Sequence, residues 1–145
     1  MSDTSYNTNL AAEFHVMSVL HRLGADAALT LGNQKSVDIA VVRSEGDTAT
    51  IDVKGLAGTT SWPVDNFKKI KDNHYLVFVC YRGKIAQPAF SPEVWVVPST
   101  ELEPLIYNSP NGKRRVVSVG ALRKKDAAYK DNWKSILARS ERPGG

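Results

Sequence analysis

The chain has 145 residues, 42% of them hydrophobic, with 19 Lys or Arg against 15 Asp or Glu for a net charge of +4. That length gives one domain (1–145) with room for a real core, and the composition is that of an ordinary soluble globular protein. No apolar run reaches the roughly 18 residues of a membrane span, no basic-then-apolar leader opens the chain, and one cysteine excludes a disulfide framework or zinc module, so a cytoplasmic setting without a membrane partner is expected.

In chain order, a first helix is expected after Asn7-Thr8-Asn9, ending at Gly24. Leu10, Val16, Met17, Leu20 and Leu23 fall on one apolar stripe, with Glu13 near its middle and His15 on the opposite, surface side. An acid on a core-facing stripe costs desolvation unless a cation or a metal faces it. Ala25 to Leu31 reads as a short strand.

Two β-branched runs, Lys35 to Arg43 and Asp47 to Gly55, flank Ser44-Glu45-Gly46 and signal a hairpin. A three-residue loop with Gly46 in the left-handed position pairs Arg43 with Asp47, which sets Asp38 across from Asp52. Side chains alternate along a strand, so Asp52 and Lys54 share a face with Asp38 while Ile51 and Val53 point the other way. Facing carboxylates, about 4.5–5.5 Å apart at Cβ, repel. Lys54 supplies one compensating charge, and a divalent cation with hard oxygen ligands is the other candidate. Taken alone, Asp-x-Lys also fits an ordinary solvated strand face.

Ala57 to Asp65 is loop-like, and Asp65 is placed to cap a short helix through Lys71 with Phe67 and Ile70 inward. Tyr75 to Tyr81, holding Cys80, is a central strand covered on both faces. Val94 to Pro98 is a further strand. Thr100-Glu101-Leu102-Glu103 has capping-box spacing and opens a short helix. Tyr107 to Gly112 is a turn-rich loop and Arg115 to Val119 an edge strand. Asp126 to Arg139 closes the chain as a helix with Tyr129, Trp133, Ile136 and Leu137 inward. The core spans about 9–98, followed by a basic helical extension over about 99–145. Residues 113–145 carry ten Lys or Arg against three acids, whereas residues 1–112 carry nine against twelve. That asymmetry suits a polyanion, and equally a basic face kept for solubility.

A helix acid, an Asp near the start of one strand and Asp-x-Lys on its hairpin partner resemble the PD-(D/E)XK nuclease superfamily over roughly residues 9 to 81. Asp38 matches the first motif acid, Asp52-Val53-Lys54 the (D/E)-x-K and Glu13 the helix acid of many members. Val37 replaces the nominal proline, and Asp52 stands where Glu is more frequent, which shortens the ligand's reach. The resemblance implies an α/β, restriction-endonuclease-like αβββαβ core, a central mixed β-sheet flanked by helices, as in restriction enzymes and archaeal-type Holliday-junction resolvases. It implies a metal-dependent endonuclease hydrolysing DNA phosphodiester bonds in repair, recombination or defence. Homodimers are common in that fold.

Chemically, Asp38, Asp52 and the Val53 carbonyl would bind Mg2+ or Mn2+, with Glu13 binding through water or completing a second position. Lys54 would orient the attacking water and contact the scissile phosphate. Gln34, Lys35, Thr59, Thr60, Ser61, Lys68 and Lys69 are candidate substrate contacts. Lys71 belongs with the latter two lysines, and a solvated helix face fits them equally. Trp62 fits a core anchor better than a stacking surface. A catalytically weak or inactive nuclease-like fold, used for nucleic-acid binding or as an interaction module, is the alternative.

Overall fold

The computed structural model describes residues 2–30, 37–44, 46–65, 67 and 71–138. Its elements are α1 (Ser2–Arg22), β1 (Asp26–Leu29), β2 (Ile39–Ser44), β3 (Asp47–Leu56), β4 (Ser61–Pro63), β5 (His74–Cys80) and β6 (Glu93–Pro98), then two 3-10 turns (Ser99–Glu101 and Glu103–Leu105). β7 (Tyr107–Asn108), β8 (Arg115–Ser118), α2 (Val119–Arg123), α3 (Asp126–Tyr129) and α4 (Lys134–Leu137) follow. Five strands form a mixed sheet in the order β1-β2-β3-β5-β6, and three form a smaller sheet in the order β4-β8-β7. The fold is therefore mixed α/β, its main sheet flanked by helices. Among the described residues no helix is long and apolar enough to cross a membrane.

β5 is buried at all seven positions because it lies between β3 (parallel) and β6 (antiparallel) with both faces covered. Tyr75, Val77 and Val79 join Ala12, Val16 and Leu20 of α1 in one core. Leu76, Phe78 and Cys80 turn to a second core with Trp62, Trp95, Val117 and Leu122. There the Trp62 ring meets Phe78 edge-on at 5.1 Å and Trp95 at 6.0 Å. The Trp62 indole N–H donates to the Val79 carbonyl at 3.2 Å, so its one polar atom is satisfied in the core.

Several expectations need correction. The buried face of α1 runs Thr8, Ala12, Val16 and Leu20, whereas Leu23 is 51% exposed because the helix ends at Arg22 before it can turn inward. His15 is half-buried rather than on the surface. The loop after Ala57 contains β4, and β8 is the centre of its sheet, flanked by β4 and β7. β7 falls within the expected loop from Tyr107 to Gly112. Thr100 caps nothing, and Pro104, which lacks an N–H, interrupts the helix in favour of two 3-10 turns. The closing helix is broken at Lys130, which bridges Trp95, and at Asp131 (φ +52°), whose N–H donates to Val94. The open edge of β6 captures that backbone. Residues 99–138 thus mix strands with short helices, among them α2, whose N-cap is Ser118. The helix expected from Asp65 to Lys71 lies largely outside the described residues.

Arg43 fastens the far end of the hairpin. Its guanidinium, only 3% exposed, donates to Asp47 at 2.8 Å, to Asn73 at 2.7 Å and to the Ile136 and Ala138 carbonyls at 3.2 and 2.9 Å. It therefore holds β2, β3 and the C-terminal segment at one point. Removing one member of a buried ion pair costs about 3–5 kcal/mol. Arg43→Ala should accordingly lower unfolding stability by about that amount in urea titrations, and a loss below about 1 kcal/mol would contradict this role.

Candidate active site

The hairpin pairs Ile39 with Ile51, Ala40 with Thr50 and Val41 with Ala49, with a bulge between Val42 and Ser44. The ladder ends there: Asp38, expected opposite Asp52, leaves the register and donates its N–H to the Ile51 carbonyl, while its carboxylate stays close enough to Asp52 to raise that group's pKa. Arg43 sits in the bulge and meets Asp47 through its side chain instead of as a ladder partner. Along β3, Asp47, Ala49, Ile51 and Val53 are buried, while Thr50, Asp52 and Lys54 are half-buried on the opposite face.

β2 begins at Ile39, so from Asp52 onward the β2-side edge of β3 carries no paired strand residue. Two contacts lock Asp38 at that opening. Its N–H donates to the Ile51 carbonyl at 2.7 Å, and its carboxylate accepts the Val53 N–H at 2.7 Å. Within a strand, the N–H and C=O of one residue point to the same edge. The Val53 carbonyl therefore also faces the Asp38 side.

α1 crosses this stretch closely. A Cβ on Gly55 would come within 2.9 Å of the Thr8 carbonyl and 3.1 Å of the Ala12 Cβ, so only glycine admits the helix. The Gly55 N–H faces the Asn9 side-chain oxygen at 3.4 Å. This approach brings Glu13 to a cleft of about 640 Å3, whose lining also includes Asn9, Asp38, Asp52, Lys54 and Pro63.

The electrostatics match a crowded acidic site. Burial pushes the Asp52 carboxyl up to about 7; Asp38 pushes the same way, while Lys54 opposes both. The Lys54 ammonium is 3.5 Å from the Asp52 carboxylate, and both side chains are largely covered. Burial also raises Glu13, and the charge of Asp38 raises it further. Nearby, His74 bonds to the Thr50 hydroxyl at 2.7 Å; burial lowers its pKa, then Lys71 does so, with Asp38 opposing.

Glu13, Asp38, Asp52, Val53 and Lys54 thus line one cleft. Thr59, Thr60 and Ser61 do not, although Gly58 and Pro63 on either side of them do. Trp62 borders the cleft as well, but it is fully buried and offers no face to a base. Lys71 is exposed beside His74 in a separate cavity. Gln34, Lys35, Lys68 and Lys69 lie outside the described residues. Among the described residues, no group of three or more His, Cys, Asp or Glu forms a ready metal cluster. Asn9, Gly55 and the Thr50–His74 pair were not apparent from sequence. Gly55 beside Lys54 was the available signal, whereas His74 becomes a neighbour only through the parallel β3–β5 register.

No protein-family model matches this chain, and neither does any curated protein or solved structure.

The Asp52 shift sets a pH dependence. Between about pH 4 and 7 the folded chain keeps a proton that the unfolded chain releases, so stability falls as pH rises, by up to about 1.4 kcal/mol per unit, and levels off above 7. In metal-free buffer the stability of Asp52→Asn relative to wild type should therefore climb from pH 5 to 7. A difference that stays flat across that range would contradict the buried, charge-crowded environment of Asp52.

Proposed function

We propose that this protein is a metal-dependent nuclease that hydrolyses phosphodiester bonds in DNA. One observation carries the reading: the carboxylates of Asp38 and Asp52, from the two arms of the hairpin, stand together beside Lys54 in a cleft that Glu13 also lines. A sheet built only for stability avoids crowding acids in this way. Burial above all, and then the charge of Asp38, raise the Asp52 pKa against the pull of Lys54.

The donor set fits a hard divalent ion such as Mg2+ or Mn2+, which takes oxygen ligands and keeps several waters. Asp38, Asp52 and the Val53 carbonyl would hold it, and Glu13 would contribute from the helix. When bound, such an ion neutralises phosphate charge and makes water more acidic. The remaining work falls to the chain. The Val53 N–H keeps the Asp38 carboxylate aimed at the opening. Lys54 places a positive charge where negative charge builds on the phosphate, and its ammonium can orient a water for attack. The partly covered cleft strengthens both effects by excluding solvent.

A second reading, a nuclease-like fold that binds nucleic acid with little or no cleavage, draws support from the lack of a ready three-ligand cluster among the described residues. A cleavage screen over supercoiled, linear, branched and single-stranded DNA and RNA separates the two. Wild type should cut a DNA form with Mg2+ or Mn2+ and stop in EDTA. Lys54→Ala and Asp52→Asn should each lose about 10²-fold or more while staying folded. Cleavage persisting in both variants would remove this site from the reaction, and absence of cleavage on every substrate would favour the binding reading.

A further inference from the structure

We infer that the small sheet β4-β8-β7, with the turn before it and the helix after it, grips a DNA duplex through its phosphates without regard to sequence. This rests on the nuclease reading above.

Position comes first. Pro63 of β4 lines the cleft, and β4 pairs with β8 through Ser61–Ser118, Trp62–Val117 and Pro63–Val116. The two ends of β8 therefore bracket the cleft wall. At one end stand Lys113 and Arg114, the latter 3.4 Å from the carboxylate of Asp65, two residues beyond Pro63. At the other end the Val119 N–H donates to the Thr60 carbonyl at 2.9 Å, and α2 runs on to Lys124 and Lys125.

The charges here then separate into two groups. Residues 113–138 hold eight Lys or Arg and two acids. Arg115 is tied to Glu103, and Arg123 and Lys130 to Glu93; these cations hold the fold together. Lys113, Lys124 and Lys125 are exposed and make no ion pair among the described residues, and Arg114 is 62% exposed with only a 3.4 Å contact. Apart from Lys134, which lies on α4, the unspent positive charge therefore gathers at the two ends of the wall. From Lys113 to Lys125, six extended steps rise about 20 Å and six helical steps about 9 Å, so the Cα atoms of the two groups are at most about 30 Å apart. That span covers up to about nine base-pair steps of a duplex at 3.4 Å each.

The available contacts decide what is read. Single-strand binders stack bases on aromatic platforms. Here Trp62 and Trp95 are fully buried, the Tyr129 hydroxyl donates to Glu101, and Tyr107, on an outer strand of this sheet, is exposed. Beside the single exposed ring of Tyr107, this region offers its cations and the exposed hydroxyls of Thr59 and Thr60, groups that contact phosphates, where no sequence information is carried.

The test is fluorescence anisotropy of the full chain in EDTA, where no cleavage occurs, with two 25-bp duplexes of unrelated sequence over a salt series. Wild type should bind both within about twofold. Lys113→Glu/Arg114→Glu and Lys124→Glu/Lys125→Glu, each checked for folding by thermal melting, should bind about tenfold more weakly or worse. Each should also lower the slope of log affinity against log salt by about 1.8, near 0.9 per lost phosphate contact. Lys134→Glu, at a distant exposed cation, should change neither. The inference fails if the double reversals bind as wild type does, if Lys134→Glu loses as much, or if single strands or anionic vesicles bind more tightly than duplex. Duplex binding that follows the reversals in a protein that never cuts would keep the grip and overturn the nuclease reading. Cleavage with unaffected binding would do the opposite.

Discussion

The pairing of Ile39 with Ile51 is the constraint from which the site follows. Ile39, Val41, Ala49 and Ile51 are buried in the core against α1. A slip of one residue would turn these side chains to the opposite face and drive Asp52 into the apolar core. The hydrophobic side of the hairpin therefore locks a register that leaves Asp38 and Asp52 crowded in one cleft. That repulsion is tolerated because the core that enforces it is larger, and because Lys54 offsets part of it locally. Stability and the proposed chemistry draw on opposite faces of the same ten-residue strand.

The surroundings keep that face usable. Glycine at position 55 lets α1 approach closely enough for Glu13 to share the cleft, and β2 starts late enough to leave the β3 edge open beside Asp38. Below the main sheet, the Trp62–Phe78–Trp95 cluster ties the small sheet to β5 and β6, so the cleft wall is anchored in a core. Arg43 closes the other end by joining the hairpin to the C-terminal segment. Rigid elements thus supply the proposed metal-facing groups, while the expected substrate contacts at Thr59 and Thr60 lie in a loop.

Much of this was legible in the chain before any coordinates. β-branched runs around a glycine turn specified the hairpin and its register, and an unbroken apolar run marked β5 as central. An acid within an apolar helix stripe pointed to Glu13. What could not be read depended on tertiary competition. The helix expected after Asp126 breaks because the edge of β6 captures Lys130 and Asp131, which local periodicity does not show. β4 and β7 are three and two residues long, too short to leave a pattern, and β8 becomes a central strand only because both pair with it. The buried face of α1 does not show in its leucines, because small residues, Thr8 and Ala12, pack where Gly55 allows close approach.

The most direct measurement is the footprint of a paramagnetic cation. Manganese titrated into isotope-labelled protein broadens the nuclear resonances closest to where it binds. Signal should be lost at low occupancy for Asp38, Asp52, Val53 and Lys54, then Glu13, with the Arg43 end of the hairpin unaffected. Broadening spread evenly over surface acids, or centred on Glu93 or Glu103 instead, would contradict it.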